Sequence, residues 1–157
     1  MKVIIIEDET PAANRLGKLL QTISGEIDII EKLDSIATAV AYFQSAAQPD
    51  LIFMDIQLAD GLSFDIFSQV QIKTPVIFTT AFDQYTLKAF KVNSIDYLLK
   101  PIDENELRLA VDKYYELYHK RPNDYPDKLS CCPRFTSSRS LYLAAFMSAS
   151  IFISLSG

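Results

Sequence analysis

The sequence predicts an α/β protein, a three-layer α/β/α sandwich on one five-stranded parallel sheet. Three observations lead there. Apolar runs of strand length alternate with segments of helical period from residue 2 to about residue 118, the pattern of repeated β-α units. The strand-length runs are short and rich in Ile, Val, Leu and Phe, as strands covered by helices on both faces are. The composition, 49% hydrophobic and 22% charged over 157 residues, is that of a chain able to bury a real core rather than of a disordered one.

The elements follow in order. Lys2–Ile6 is a strand, and Glu7-Asp8-Glu9 follows it directly. Thr10 and Pro11 form an expected N-cap and first-turn pair for a helix over Pro11–Thr22. A strand over Asp28–Leu33 and a helix over Ile36–Ser45 make the second unit. The third strand, Leu51–Met54, runs into Asp55; Asp60-Gly61 turns the chain into a helix over Ser63–Val70. Val76–Thr79 is the fourth strand, ending at Thr80-Ala81, with a helix over Gln84–Val92 after it. The fifth strand, Asp96–Leu99, ends at Lys100-Pro101. A last helix over Glu104–Tyr118 starts with acids at Asp103, Glu104 and Glu106, where the helix dipole favours them. Its apolar positions Leu107, Val111, Tyr114, Tyr115 and Tyr118 recur at helical spacing and are expected to face mostly the core, with a subset left for a partner.

Several function classes are excluded early. The 4 glycines, Gly17, Gly25, Gly61 and Gly157, cannot spell a dinucleotide-binding Gly-x-Gly-x-x-Gly turn or a Walker loop. One histidine, His119, and the adjacent pair Cys131 and Cys132 offer no His/Cys zinc site and no disulfide framework, so any metal is expected to be held by carboxylates. Residues 1–117 carry 18 acids against 10 Lys and Arg, which argues against direct DNA binding by this body. The apolar run at the amino terminus meets Glu7 too soon for a secretory signal, and a cytoplasmic location is expected.

Parallel sheets of this type bind ligands beyond the carboxyl ends of their strands, where the strand order reverses. For the flavodoxin-like order 2-1-3-4-5, strands one and three are neighbours, and Glu7, Asp8 and Asp55 converge with Thr80 and Lys100 in one shallow cleft. Three carboxylates that close repel one another and call for a cation. With oxygen ligands only, the expected ion is Mg²⁺. Asp55, alone at the end of the central strand, is the expected nucleophile toward phosphorus, and Thr80 and Lys100 are placed to bind the remaining phosphoryl oxygens. Singly, each of these residues has an ordinary structural explanation as a cap, a turn or a loop start. Four of them at four strand ends on one edge of one sheet do not share one.

At this point the residues resemble a known family. Ile6-Glu7-Asp8-Glu9, Met54-Asp55-Ile56, Thr80-Ala81 and Lys100-Pro101 make residues 1–118 similar to the receiver domain of bacterial two-component response regulators. The resemblance implies that Asp55 accepts a phosphoryl group from a sensor histidine kinase. It implies that Asp8, Asp55 and the backbone carbonyl of Gln57 hold Mg²⁺, with Glu7 reaching the ion through water in place of the commoner Asp. Tyr97 resembles the family's switch aromatic, turning inward when Thr80 moves toward the phosphate. The implied bistable face, and a possible homodimer surface, is formed by the fourth helix, fifth strand and fifth helix. Self-catalysed phosphorylation and dephosphorylation is the only chemistry expected. An aspartate-nucleophile phosphatase would commonly carry a second Asp where Gln57 stands.

The stretch from Ala81-Phe82-Asp83-Gln84-Tyr85 to Ala89-Phe90, with Ser94-Ile95-Asp96-Tyr97-Leu98-Leu99-Lys100-Pro101-Ile102, resembles the LytTR class more narrowly, in which a DNA-binding domain follows the receiver. DNA binding is then expected of a full-length form and not of the receiver. Residues 119–140 read as a polar linker and 141–157 as an uncharged apolar tail of uncertain origin, too short and Ser-rich for a membrane span. The change of character after residue 118 motivates the expectation of a frame change or truncation that removes the effector, and so of a truncated transcription regulator. The alternative is a stand-alone receiver that acts by docking a protein partner.

Overall fold

The computed structural model describes residues 1–45, 48–81 and 94–118, all within one compact unit, Met1–Arg121. The main sheet holds five strands: β1 (Lys2–Ile6), β2 (Asp28–Leu33), β3 (Leu51–Asp55), β4 (Val76–Thr80) and β5 (Ser94–Leu99). The helices are α1 (Thr10–Ile23), α2 (Ile36–Ser45), α3 (Phe64–Gln69) and α4 (Glu104–Tyr118). All pairings in the sheet are parallel. Counted over the strands of this sheet, the order is the expected 2-1-3-4-5. The helix predicted over Gln84–Val92 and the readings of 119–157 lie outside the described residues. Among the described residues no helix is long and apolar enough to cross a membrane.

The period-2 alternation of the strands explains the three layers. Val3 and Ile5 of β1, Leu51 and Phe53 of β3 and Ile77 of β4 share one core with Ala13, Leu16 and Leu20 of α1 and Leu107, Ala110, Val111 and Tyr114 of α4. Ile4, Ile6, Ile52, Met54, Val76 and Phe78 point the other way, onto Ile36, Ala39 and Phe43 of α2 and Ile66 of α3. The central strands β3 and β4 are buried at every position. The edge strand β2 is exposed or half-buried throughout. In α4, Leu107, Val111 and Tyr114 are buried, Tyr115 is partly buried and Tyr118 is 46% exposed, so most of the helical spacing faces the core and its last turn does not.

Two details differ from the sequence reading. Thr10 lies inside α1; Glu9 takes the N-cap position with extended backbone and makes no side-chain cap bond. Pro11 in the first turn suits that helix start, because its missing N–H belongs to the set with no intrahelical partner. The second is a two-stranded antiparallel ribbon, Gln57–Leu58 with Gly61–Leu62, between β3 and α3. Strands of two residues carry no period, and this one depends on Gly61, whose φ of 143° lies where side chains with a Cβ are strained.

Candidate functional site

Parallel strands end on the same edge, and the register decides which ends meet. Ile6 pairs with Met54, so Glu7 and Asp55 each stand one step past the same rung. Asp55 pairs with Thr79, and Thr80 with Leu99, which brings Lys100 beside the end of β4. The Lys100 N–H donates to the Thr80 carbonyl at 2.7 Å, and a cis peptide joins Lys100 to Pro101. Glu7, Asp55 and Thr80 are buried at 5%, 6% and 0% exposure. Asp8 is half-buried.

Carboxylate oxygens of Glu7, Asp8 and Asp55 lie within 4.8 Å of one another. The Lys100 ammonium donates to Asp55 Oδ2 at 2.5 Å and to Glu7 Oε1 at 2.7 Å, and stands 2.7 Å from Glu7 Oε2 as well. The Gln57 N–H donates to Asp55 Oδ1 at 3.1 Å. Asp55 is thus oriented through both oxygens, by the lysine that follows β5 and by the first residue of the ribbon. Thr80 closes β4 beside them. Tyr97 is half-buried and packs against the core beneath α2 and α3.

Burial raises Glu7 above the ordinary glutamate value, and the neighbouring Asp55 and Asp8 charges add to it against the opposing hydrogen bond and charge of Lys100. Burial also works against the Lys100 ammonium. Its hydrogen bonds to Asp55 and Glu7, reinforced by their charges, outweigh that and hold it above the ordinary lysine value.

The donor set fits a hard divalent cation: three carboxylates presenting one oxygen each within a span of 4.8 Å, with no softer ligand among them. Among the described residues, one lysine against three acids leaves negative charge for such an ion to balance.

The predicted residues Glu7, Asp8, Asp55, Thr80 and Lys100 therefore meet on one sheet edge, with the Gln57 backbone against Asp55. Two features escaped sequence reading. The pairing of Lys100 with Glu7 spans 93 positions of chain, and only the register reveals it. Asp60, read as a turn residue, also caps α2: its Oδ1 and Oδ2 accept the N–H groups of Ile36 at 3.0 Å and Ala37 at 3.2 Å.

Comparison with known proteins bears on this arrangement. Residues 3–112 match the family described as the response regulator receiver domain. The sensory transduction protein LytT of Bacillus cereus is 38% identical over 117 residues, 73% of this chain and 47% of that protein. The transcriptional regulatory protein LytR of Staphylococcus aureus is 39% identical over 116 residues, 72% of this chain and 46% of that one. The chain spans about half the length of the curated relatives it matches. Among solved structures, the response regulatory domain of protein mrkE from Klebsiella pneumoniae is similar with a TM-score of 0.65 at 32% identity, covering 74% of this chain and 97% of that one.

Proposed function

Because this chain belongs to the response regulator receiver family, with LytT and LytR response regulators among its relatives, we propose that it is a phosphorylation-controlled switch in which Asp55 takes a phosphoryl group from a sensor histidine kinase. The observation that carries the reading is Asp55 itself: a buried carboxylate at the end of the central strand, held by Lys100 at 2.5 Å and by the Gln57 N–H at 3.1 Å, beside two more acids.

In the proposed step a carboxylate oxygen of Asp55 attacks phosphorus, the P–N bond to the donor imidazole breaks, and its electron pair leaves on nitrogen. Hydrolysis reverses the gain: water attacks phosphorus, and carboxylate and inorganic phosphate are released. Glu7, Asp8, Asp55 and the Gln57 carbonyl would hold Mg²⁺, which supplies charge neutralisation when bound. Lys100 follows the transferred charge, exchanging part of its contact with Asp55 for a phosphoryl oxygen, and Thr80 donates its hydroxyl to another. Orientation of Asp55 before the donor arrives is the contribution of this chain's own residues.

Downstream, the proposed switch moves Tyr97 with Thr80 and alters the face that contains β5 and α4. That face is the proposed homodimer surface: Leu109 and Leu117 of α4 are each 63% exposed. Transcription control in the cytoplasm is the proposed output. It is argued from the relative named a transcriptional regulatory protein, with DNA contacts made by a full-length form outside the receiver. The net acidity of residues 1–117 supports keeping DNA away from the receiver.

Labelling with acetyl phosphate and Mg²⁺ tests the central claim. Wild type is expected to take up one alkali-labile phosphoryl group and Asp55→Asn none; labelling of Asp55→Asn at the wild-type level overturns it. Sedimentation with beryllofluoride and Mg²⁺ tests dimerisation, and an unchanged mass at high protein concentration counts against that part.

A further inference from the structure

We infer that Asp60 is a positioning residue for the phosphoryl-accepting site, holding the ribbon that orients Asp55 against the amino-terminal end of α2. The inference rests on the reading of Asp55 as the acceptor.

The Gln57 N–H that fixes Asp55 Oδ1 at 3.1 Å belongs to the ribbon in which Gln57 pairs with Leu62 and Leu58 with Gly61. A ribbon of two rungs does not hold its own shape. Its base is closed by the Ser63 N–H donating to the Ile56 carbonyl at 2.9 Å. Its tip carries Asp60, and Asp60 reaches another element: both carboxylate oxygens accept N–H groups of α2, from Ile36 and Ala37.

The α2 end is built to receive that carboxylate. The Thr38 N–H donates to Ser35 Oγ at 3.3 Å, and the Ser35 N–H to Thr38 Oγ1 at 3.2 Å. This local box leaves the N–H groups of Ile36 and Ala37 for a partner from elsewhere. Asp60 supplies it, with a charge that suits a helix amino terminus. Beside it, Gly61 at φ 143° leaves only 3.2 Å between a Cβ built there and Ile36 Cδ1, so backbone and helix end meet closely. Releasing the tip would free the ribbon, and with it the N–H on Asp55 Oδ1. Loss of such indirect supports costs about tenfold or more in comparable sites.

The test compares Asp60→Ala, Asp60→Asn and Thr38→Ala with wild type in the full chain. Two readouts are taken: the rate of phosphoryl uptake from acetyl phosphate with Mg²⁺, and amide hydrogen exchange at Gln57 without either. Thr38→Ala weakens the same helix end without touching the ribbon. Asp60→Ala is expected to slow uptake about tenfold and speed Gln57 exchange, with Asp60→Asn in between and Thr38→Ala within about twofold of wild type. Uptake by Asp60→Ala at the wild-type rate, or an equal loss in Thr38→Ala, overturns the inference. Should Asp60→Ala fail to fold, Asp60→Asn decides by the same two readouts. If wild type takes up no phosphoryl group, the reading of Asp55 fails on its own and Gln57 exchange alone judges Asp60.

Discussion

Lys100 shows what one residue does at this sheet edge. Its ammonium sits 2.5 Å from Asp55 and 2.7 Å from Glu7, and both partners are buried. Truncating it leaves two buried like charges facing each other. Lys100→Ala is expected to lose on the order of 2 to 4 kcal/mol of stability in chelator, because a broken buried pair leaves its partners uncompensated. Added Mg²⁺ is expected to raise the unfolding midpoint of Lys100→Ala more than that of wild type, since a cation can take over the role of the missing ammonium. Urea unfolding with EDTA and with Mg²⁺ measures both, and a variant as stable as wild type in EDTA speaks against this account. The placement of Glu7, Asp8, Asp55 and Lys100 on one sheet edge was legible in the sequence, because their position at strand ends follows from strand length alone. The double engagement of Lys100 was not, because it depends on side-chain reach across neighbouring strands.

At the scale of elements, the ribbon and α4 carry separate expectations. Gly61→Ala forces a side chain into the φ 143° conformation and against Ile36 Cδ1, and is expected to cost about 1 to 3 kcal/mol. Chemical denaturation reads this, and a neutral substitution would show that the ribbon relaxes without strain. In α4, Tyr114 is 2% exposed, and burial first, then the charges of Asp50, Tyr115 and Tyr118, push its phenol up from 10.0 to about 12. A folded-state value above the unfolded one means that the stability it contributes is fully present below pH 10 and lost as pH rises toward 12. Lys100, also raised, acts in the same direction. Stability is therefore expected to fall on the order of 2 kcal/mol across that interval, and Tyr114→Phe to flatten part of the fall. A wild-type curve level from pH 9 to 11 would contradict it. Long elements such as α1 and α4 were visible from their period, whereas the ribbon was not, because its existence rests on Gly61 and Asp60 contacts with α2.

For the molecule as a whole, the two cores formed among the described residues draw on segments from Met1 to Tyr115. A fragment of residues 1–118 is expected to unfold cooperatively at the midpoint of the full chain and to take up phosphoryl at the same rate; an unfolded fragment would show that later residues are needed for folding. By itself, the sequence determined the fold class and which side chains gather at one sheet edge. Runs of Ile, Val, Leu and Phe separated by helical periods permit little besides a parallel sheet between helices, and acids, a threonine and a lysine at strand ends then fall on one edge. Tertiary structure alone decided how those groups engage. Register put Ile6 opposite Met54 and Thr80 opposite Leu99, so one lysine spans two carboxylates, and a carboxylate at the ribbon tip found the free N–H groups of α2. Periodicity is a property of a single segment, whereas hydrogen-bond partners and pKa shifts are set by distances between segments far apart in the chain, and those exist only once the chain has folded.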